Sequence, residues 1–306
     1  MKKKILAVTI ATALIVSCFT SCDNNTSSDS QSSQVTSSAA SNSDSSSASA
    51  DTSSDKSDST SDSGSDSGSD SDKQLTADDM FSDRDLSGDY SECTDITLSE
   101  STASCSDSSV TVADGTVTIT KAGTYRLSGT FTGQIIVNAG DSDKVQLVLD
   151  NASITKEGSA ALYIINADKV FVTTVKGTEN TLSSTGEFAS SDDETNVDGA
   201  IFSKADITFN GSGTLNVKCE SKHGIVTKDD LKITGGTYNI TSASQGLSGK
   251  DSVRIAGGNI TVTSGTDGIH SENTDDTEKG YVYISGGMLN ITSGKDCIDA
   301  SGTVGI

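Results

Sequence analysis

From about Asp95 to the C-terminus, β-branched and other apolar residues alternate with small polar ones, the period that turns one side of a strand to a core and the other to water. Residues 110–112, 116–120, 124–127, 135–137 and 145–149 read as short strands of this kind. The C-terminal half adds a longer repeat. Leu231-Lys-Ile-Thr-Gly-Gly, Val253-Arg-Ile-Ala-Gly-Gly and Val282-Tyr-Ile-Ser-Gly-Gly each precede a second strand, and the turns between them carry His223-Gly-Ile, Gln245-Gly-Leu, Asp267-Gly-Ile and Asp296-Cys-Ile. The equivalent apolar residues lie 22 apart from Ile225 to Leu247 and again to Ile269, then 29 apart to Ile298, where an acidic loop is inserted.

A period of this size marks a solenoid, because one repeat cannot bury its own apolar face and must stack on its neighbours. No helix-forming stretch interrupts the repeat and no multi-Leu consensus recurs, so leucine-rich repeats are excluded. The fold class expected is all-β, a right-handed single-stranded parallel β-helix with three short strands per rung. Looser rungs extend upstream through 207–217, 170–182 and 145–164. Strands of successive rungs lie about 4.8 Å apart, so each position of the repeat becomes a column. Ile225, Leu247, Ile269 and Ile298 then form an interior ladder. Beside it run the columns His223, Gln245, Asp267, Asp296 and Val226, Ser248, His270, Asp299. The paired glycines are expected where the backbone turns with positive φ.

The N-terminus has a different pattern. Lys2, Lys3 and Lys4, then an apolar run over 5–16, then small residues before a cysteine, read as a lipoprotein signal peptide over 1–22. Cys22 is the lipidation candidate because the polar segment begins directly after it, with Cys18 as the alternative. Residues 23–88 are expected to be a disordered Ser/Asp-rich tether, since such a composition buries too little apolar surface to offset chain entropy. A short helix over 76–81 is expected where it meets the β-helix domain, 89–306. The protein is thus expected at the extracellular face of the cell membrane, held by a lipid anchor or secreted. The chain stops at Ile306 inside what reads as a rung, so the domain is expected to be truncated there or completed by a partner.

Composition agrees with this division. Hydrophobic residues make up 32% of the chain and aromatics 4%, low for a globular core, while Gly reaches 29 with no Pro and no Trp. A formal charge of -22 excludes nucleic acid as the partner, since that binding rests on basic contacts to phosphate, and it suits divalent cations. Cys93, Cys105, Cys219 and Cys297 form no CxxC motif, so a zinc site is not expected. Cys93 and Cys105 could form a bridge or stand as free thiols.

The candidate chemistry is acidic. Stacking brings Asp267 and Asp296 within one rung spacing, and two carboxylates so close share a proton or a cation. The inserted loop adds Glu272, Asp275, Asp276 and Glu278 nearby. This oxygen-rich set suits calcium; a solvated acidic loop is the other reading. Asp198, with Asp192, Asp193 and Glu194, is a second candidate, although Asp198-Gly-Ala-Ile holds one residue too many to stack in register. His223 and His270 fall in different columns and read as plain turn or surface residues. Tyr238, Tyr281 and Tyr283 are the aromatic residues of the regular rungs able to stack on a sugar.

Several longer phrases carry a resemblance: Val117-Thr-Ile-Thr-Lys-Ala-Gly-Thr-Tyr, Gln134-Ile-Ile-Val, Asn166-Ala-Asp-Lys-Val-Phe, Gly177-Thr-Glu-Asn, Ala200-Ile-Phe-Ser-Lys and His223-Gly-Ile-Val-Thr-Lys-Asp-Asp-Leu. In these the chain, from Asp95 onward, resembles the carbohydrate-binding β-helix proteins of clostridia and ruminococci. That likeness implies a fold similar to pectate lyases, bound calcium, and binding of cellulose or acidic pectin-type glycans with no established lyase activity. The function expected is non-catalytic polysaccharide binding at the cell surface. The alternatives are a calcium-dependent lyase using Arg254, Lys250 or Lys222 as base, and an adhesin without sugar specificity.

Overall fold

The computed structural model describes residues 15–20, 80–188 and 196–306. Cys22, most of the expected tether, most of the helix expected over 76–81, and Asp192, Asp193 and Glu194 lie outside the described residues. From about residue 116 the chain winds as a parallel β-solenoid of about seven turns.

A regular rung has three strands, such as His223–Thr227, Asp230–Ile233 and Thr237–Ser242. Each pairs in parallel with its equivalent in the next rung, Leu247–Gly249, Ser252–Ile255 and Asn259–Ser264. We call the faces built on these three strands first, second and third. The first is a nine-stranded sheet. The second and third are continuous, because Lys144–Glu157 is long enough to bend and serve both, pairing with Lys169–Thr174 and then with Glu179–Thr185.

The interior ladder forms as the spacing requires. Ile201, Ile225, Leu247, Ile269 and Ile298 follow one another in register on the first face, and the first four are fully buried. Ile207, Leu231, Val253 and Val282 form the equivalent ladder on the second face, and Leu215, Tyr238, Ile260 and Leu289 on the third. Each rung supplies a few apolar side chains, and the core exists only because the rungs stack.

The glycines divide the work differently from the expectation. Only the second of each pair has positive φ: Gly236 at 92°, Gly258 at 102° and Gly287 at 104°. The first is held by close approach instead, since a Cβ on Gly235 or Gly257 would lie 2.9 Å from a carbonyl oxygen of the rung below. The same crowding keeps glycine at 224, 246 and 268. At 246 a Cβ would stand 2.7 Å from the Gly268 oxygen, whereas the final described rung carries Cys297 at this position.

The N-terminal end departs from parallel pairing. Thr94–Glu100 folds back on Thr102–Ser104, and Val110–Ala113 on Thr116–Ile119, as antiparallel hairpins. The second hairpin turns at Asp114-Gly115, both with positive φ, and so short a turn cannot make a parallel crossover. Cys93 and Cys105 flank the first hairpin as free thiols, so the bridge between them is not formed. At the other end, Ile15–Thr20, the backbone that includes Cys18, pairs in parallel with the outer edge of Met288–Ser293.

A one-turn helix, Asp83–Leu86, stands upstream of the hairpins. Ser82 caps it by accepting from the Asp85 N–H, and the Asp85 carboxylate accepts the Ser82 N–H in return. This segment lies against the outside of the second face, where Asp85 is buried.

Candidate functional site

Strand alternation turns every second residue of the first face outward. One outer column therefore reads Tyr163, Phe202, Val226, Ser248, His270, Asp299. Its lower part is apolar: Phe202 packs with Ala160 and Val226 in a small cluster outside the main core, and Tyr163 meets the Phe202 ring edge-on at 5.7 Å. Above it the column becomes polar and opens into a groove of about 350 Å³, lined by Asp198, His223, Lys228, Gln245, Ser248, Lys250, His270 and Glu272. This volume falls at the small end for ligand sites.

The chemistry concentrates around His270. Its Nδ1 lies 3.0 Å from Asp299 Oδ2, and its Nε2 lies 3.6 Å from Glu272 Oε2. The ligating atoms of Asp267, His270 and Asp299 all lie within 4.8 Å of one another. Asp267 is buried and Asp299 about half exposed, so the cluster runs from the turn out to solvent. On the groove's other side, His223 Nδ1 accepts the Gln245 N–H at 3.1 Å, which leaves the ring proton on Nε2. Burial pushes the His223 pKa down, and the charge of Asp198 only partly offsets this. Asp198 Oδ1 is buried without a hydrogen-bond partner.

Residues 113–306 match a family model described as carbohydrate-binding domain-containing protein. The chain belongs to this family. A carbohydrate-binding domain-containing protein of Acetivibrio thermocellus is 42% identical to it over 199 residues, 64% of this chain and 70% of that protein. The solved structure of a polysaccharide lyase-like protein from C. thermocellum, a gadolinium derivative, superposes with a TM-score of 0.65 at 33% identity, covering 70% of this chain and 97% of that one.

Within this carbohydrate-binding domain the expected ligand set comes together only in part. Asp267 and Glu272 approach His270, and Asp198 lines the same groove. Asp296 does not stack its carboxylate on Asp267. The two backbones stack as the register demands, but Asp267 Oδ1 accepts the Asp296 N–H at 3.2 Å and the Asp296 side chain is left in solvent. Asp275 pairs with Lys250 of the preceding rung at 2.9 Å, and Asp276 accepts the Glu278 N–H within the inserted loop.

Tyr238 leaves the sugar-stacking set. It occupies the same column as Leu215 and Ile260, its phenol is fully buried without a partner, and its ring meets Phe209 edge-on at 6.0 Å. Tyr281 and Tyr283 point outward, but from the second face: Tyr283 meets Phe81, and the Tyr281 hydroxyl meets Met80.

Two features escaped the sequence reading. His270 and Asp299 are rung neighbours in a column that the repeat already aligned, yet a histidine beside an aspartate across 29 residues gives no local motif. The second is a carboxylate ladder at the corner after the first face. Asp229 is held up to about 6 by burial, by the nearby charge of Asp206 and by a shared hydrogen bond with Asp251. Asp251 itself is held low: burial opposes this, but hydrogen bonds from Lys279, Asp229 and Asn273 outweigh it.

Proposed function

We infer that this protein is a cell-surface lipoprotein that binds acidic plant cell-wall polysaccharide along the first face without cleaving it. The observation that carries the reading is the groove. In it Lys228, Ser248, Gln245 and the His223 Nε2–H offer donors on neighbouring rungs, and Asp267 and Asp299 gather at one end. A periodic row of donors suits a periodic chain of hydroxyls and carboxylates. Membership of a carbohydrate-binding family supports this, as does the likeness to a protein called polysaccharide lyase-like.

The oxygens of Asp267 and Asp299 would hold calcium beside His270, with Glu272 across the ring as a further carboxylate. The imidazole is the poor match, being a better ligand for transition metals, and its role here is to orient Asp299 by hydrogen bonding. Bound calcium would supply positive charge to bridge these carboxylates and a uronate. Two of the three candidate bases of the lyase reading are committed elsewhere, Arg254 to Asp230 at 2.8 Å and Lys250 to Asp275.

The test is retention on polygalacturonate and on cellulose, with calcium and with EDTA, while following absorbance of unsaturated product. Calcium-dependent retention without product is expected, and His270→Ala with Asp299→Asn should weaken it at least tenfold. Product formation would make the protein a lyase, and retention on neither glycan would leave an adhesin.

A further inference from the structure

The outer side of the second face carries a row of polar and basic side chains interleaved with two carboxylates of its own, Asp206 and Asp230. Its central column runs Gln146, Phe171, Thr208, Lys232, Arg254, Tyr283 over six successive rungs, with Lys169 in the column beside it. At about 4.8 Å per rung this row spans about 24 Å along the solenoid axis. It is covered by residues 80–89, which run along it from Arg254 and Tyr283 back to Gln146.

The covering segment presents acceptors almost wherever the face presents donors. The Asp85 carboxylate takes Lys169 at 2.7 Å and the Thr208 hydroxyl at 2.7 Å, with Lys232 at 3.9 Å. The carbonyls of Met80, Asp85 and Ser87 take Arg254, Thr234 and Asn210. Burial alone would raise the Asp85 pKa, but Lys169, Thr208 and Ser82 overcome it and keep the carboxylate charged well below the usual range.

Buried ion pairs of this kind are weak devices for stability, because desolvation consumes most of their attraction. Apolar anchoring of the segment is confined to one end, at Met80 and Phe81. Its helix has four residues, Leu86 is 55% exposed, and a second groove of about 390 Å³ opens beside it at Tyr90, Lys176 and Asn210.

We propose that residues 80–89 are an autoinhibitory strap, seated in a second glycan groove that reads carboxylates directly through Lys169 and Lys232, with Asp85 standing in for a uronate. The ligand class is a linear polyuronate, and calcium has no part in its binding here. This rests on the polysaccharide reading above, and it adds a site that opens when the strap is displaced.

The experiment uses the full chain in EDTA with soluble oligogalacturonate, and neutral cello-oligosaccharide as the control. Asp85→Asn weakens the strap from inside the groove. Ser82→Ala weakens it from outside, by removing the cap, and guards against a folding defect in the first variant. Both are expected to bind oligogalacturonate at least tenfold tighter than the parent without gaining affinity for the neutral control, and adding Lys232→Ala should abolish the gain. Hydrogen exchange over 80–89 in the parent should quicken at saturating oligogalacturonate. Unchanged affinity in both variants, an equal gain for the neutral glycan, or slower exchange would overturn the proposal. If calcium-dependent retention that needs His270 persists while these fail, only the strap falls. If the parent retains no glycan under any condition, the polysaccharide reading falls with it.

Discussion

The first and second faces obey one register rule and finish with opposite surfaces. Both turn alternate residues outward into columns one rung apart, yet the first leaves His270, Gln245 and Lys228 along an open groove while the second hides Lys169 and Lys232 beneath the chain's own Asp85 and Arg254 beneath Met80. A parallel β-helix therefore sets where outward side chains go without setting whether they meet solvent. That second decision belongs to segments outside the repeat, and it changes the energetic meaning of a charge.

The sharpest way to break the contrast is to remove the central anion from one face and its counterpart from the other. Asp85→Ala should cost about 3 kcal/mol in denaturant unfolding, because it strands Lys169 and Lys232 in a buried setting. His270→Ala, on the open face, should cost about 1 kcal/mol or less and be felt in glycan binding instead. Equal costs at the two sites would erase the distinction between a covered and an open row.

Below both faces the ladder should be indifferent to which one it serves. Gly246→Ala is expected to cost about 2 kcal/mol, since its Cβ would press on the Gly268 carbonyl of the next rung. Cys297→Ala, at the equivalent position of the final described rung, should change stability by about 1 kcal/mol or less. A difference between rungs as large as that between faces would mean that rung stacking is not uniform.

The corner between the faces supplies the pH prediction. Asp229 keeps its proton up to about pH 6, above its ordinary value of 3.8, so between these values the folded state binds the extra proton and stability falls as pH rises. Allowing for its partial exposure, Asp229→Asn should gain about 1 kcal/mol at pH 7.5 and flatten the profile between pH 4 and 6. The smallest effect should come from Lys250→Ala, which breaks the exposed pair with Asp275 and should cost less than about 0.5 kcal/mol.

The legibility of the site followed the repeat. His270 and Asp299 could be aligned from the 29-residue step, and the structure pairs them in that register. Asp267 and Asp296 could be aligned by the same arithmetic, but their main chains stack while their side chains part, because one carboxylate accepts the other's N–H. Tyr238 shows the matching limit on the aromatic residues: alternation says that a residue faces in or out, and only its partners Leu215 and Ile260 say which.

What the sequence determined by itself was the parallel solenoid, its rung length and its interior ladder, because apolar residues 22 apart with no helix between them can be buried only by stacking coils. The tertiary structure alone decided which carboxylates converge and which row of donors is covered. Those outcomes depend on side-chain direction and on contacts such as Asp85 with Thr208, 123 residues apart, which no local period records.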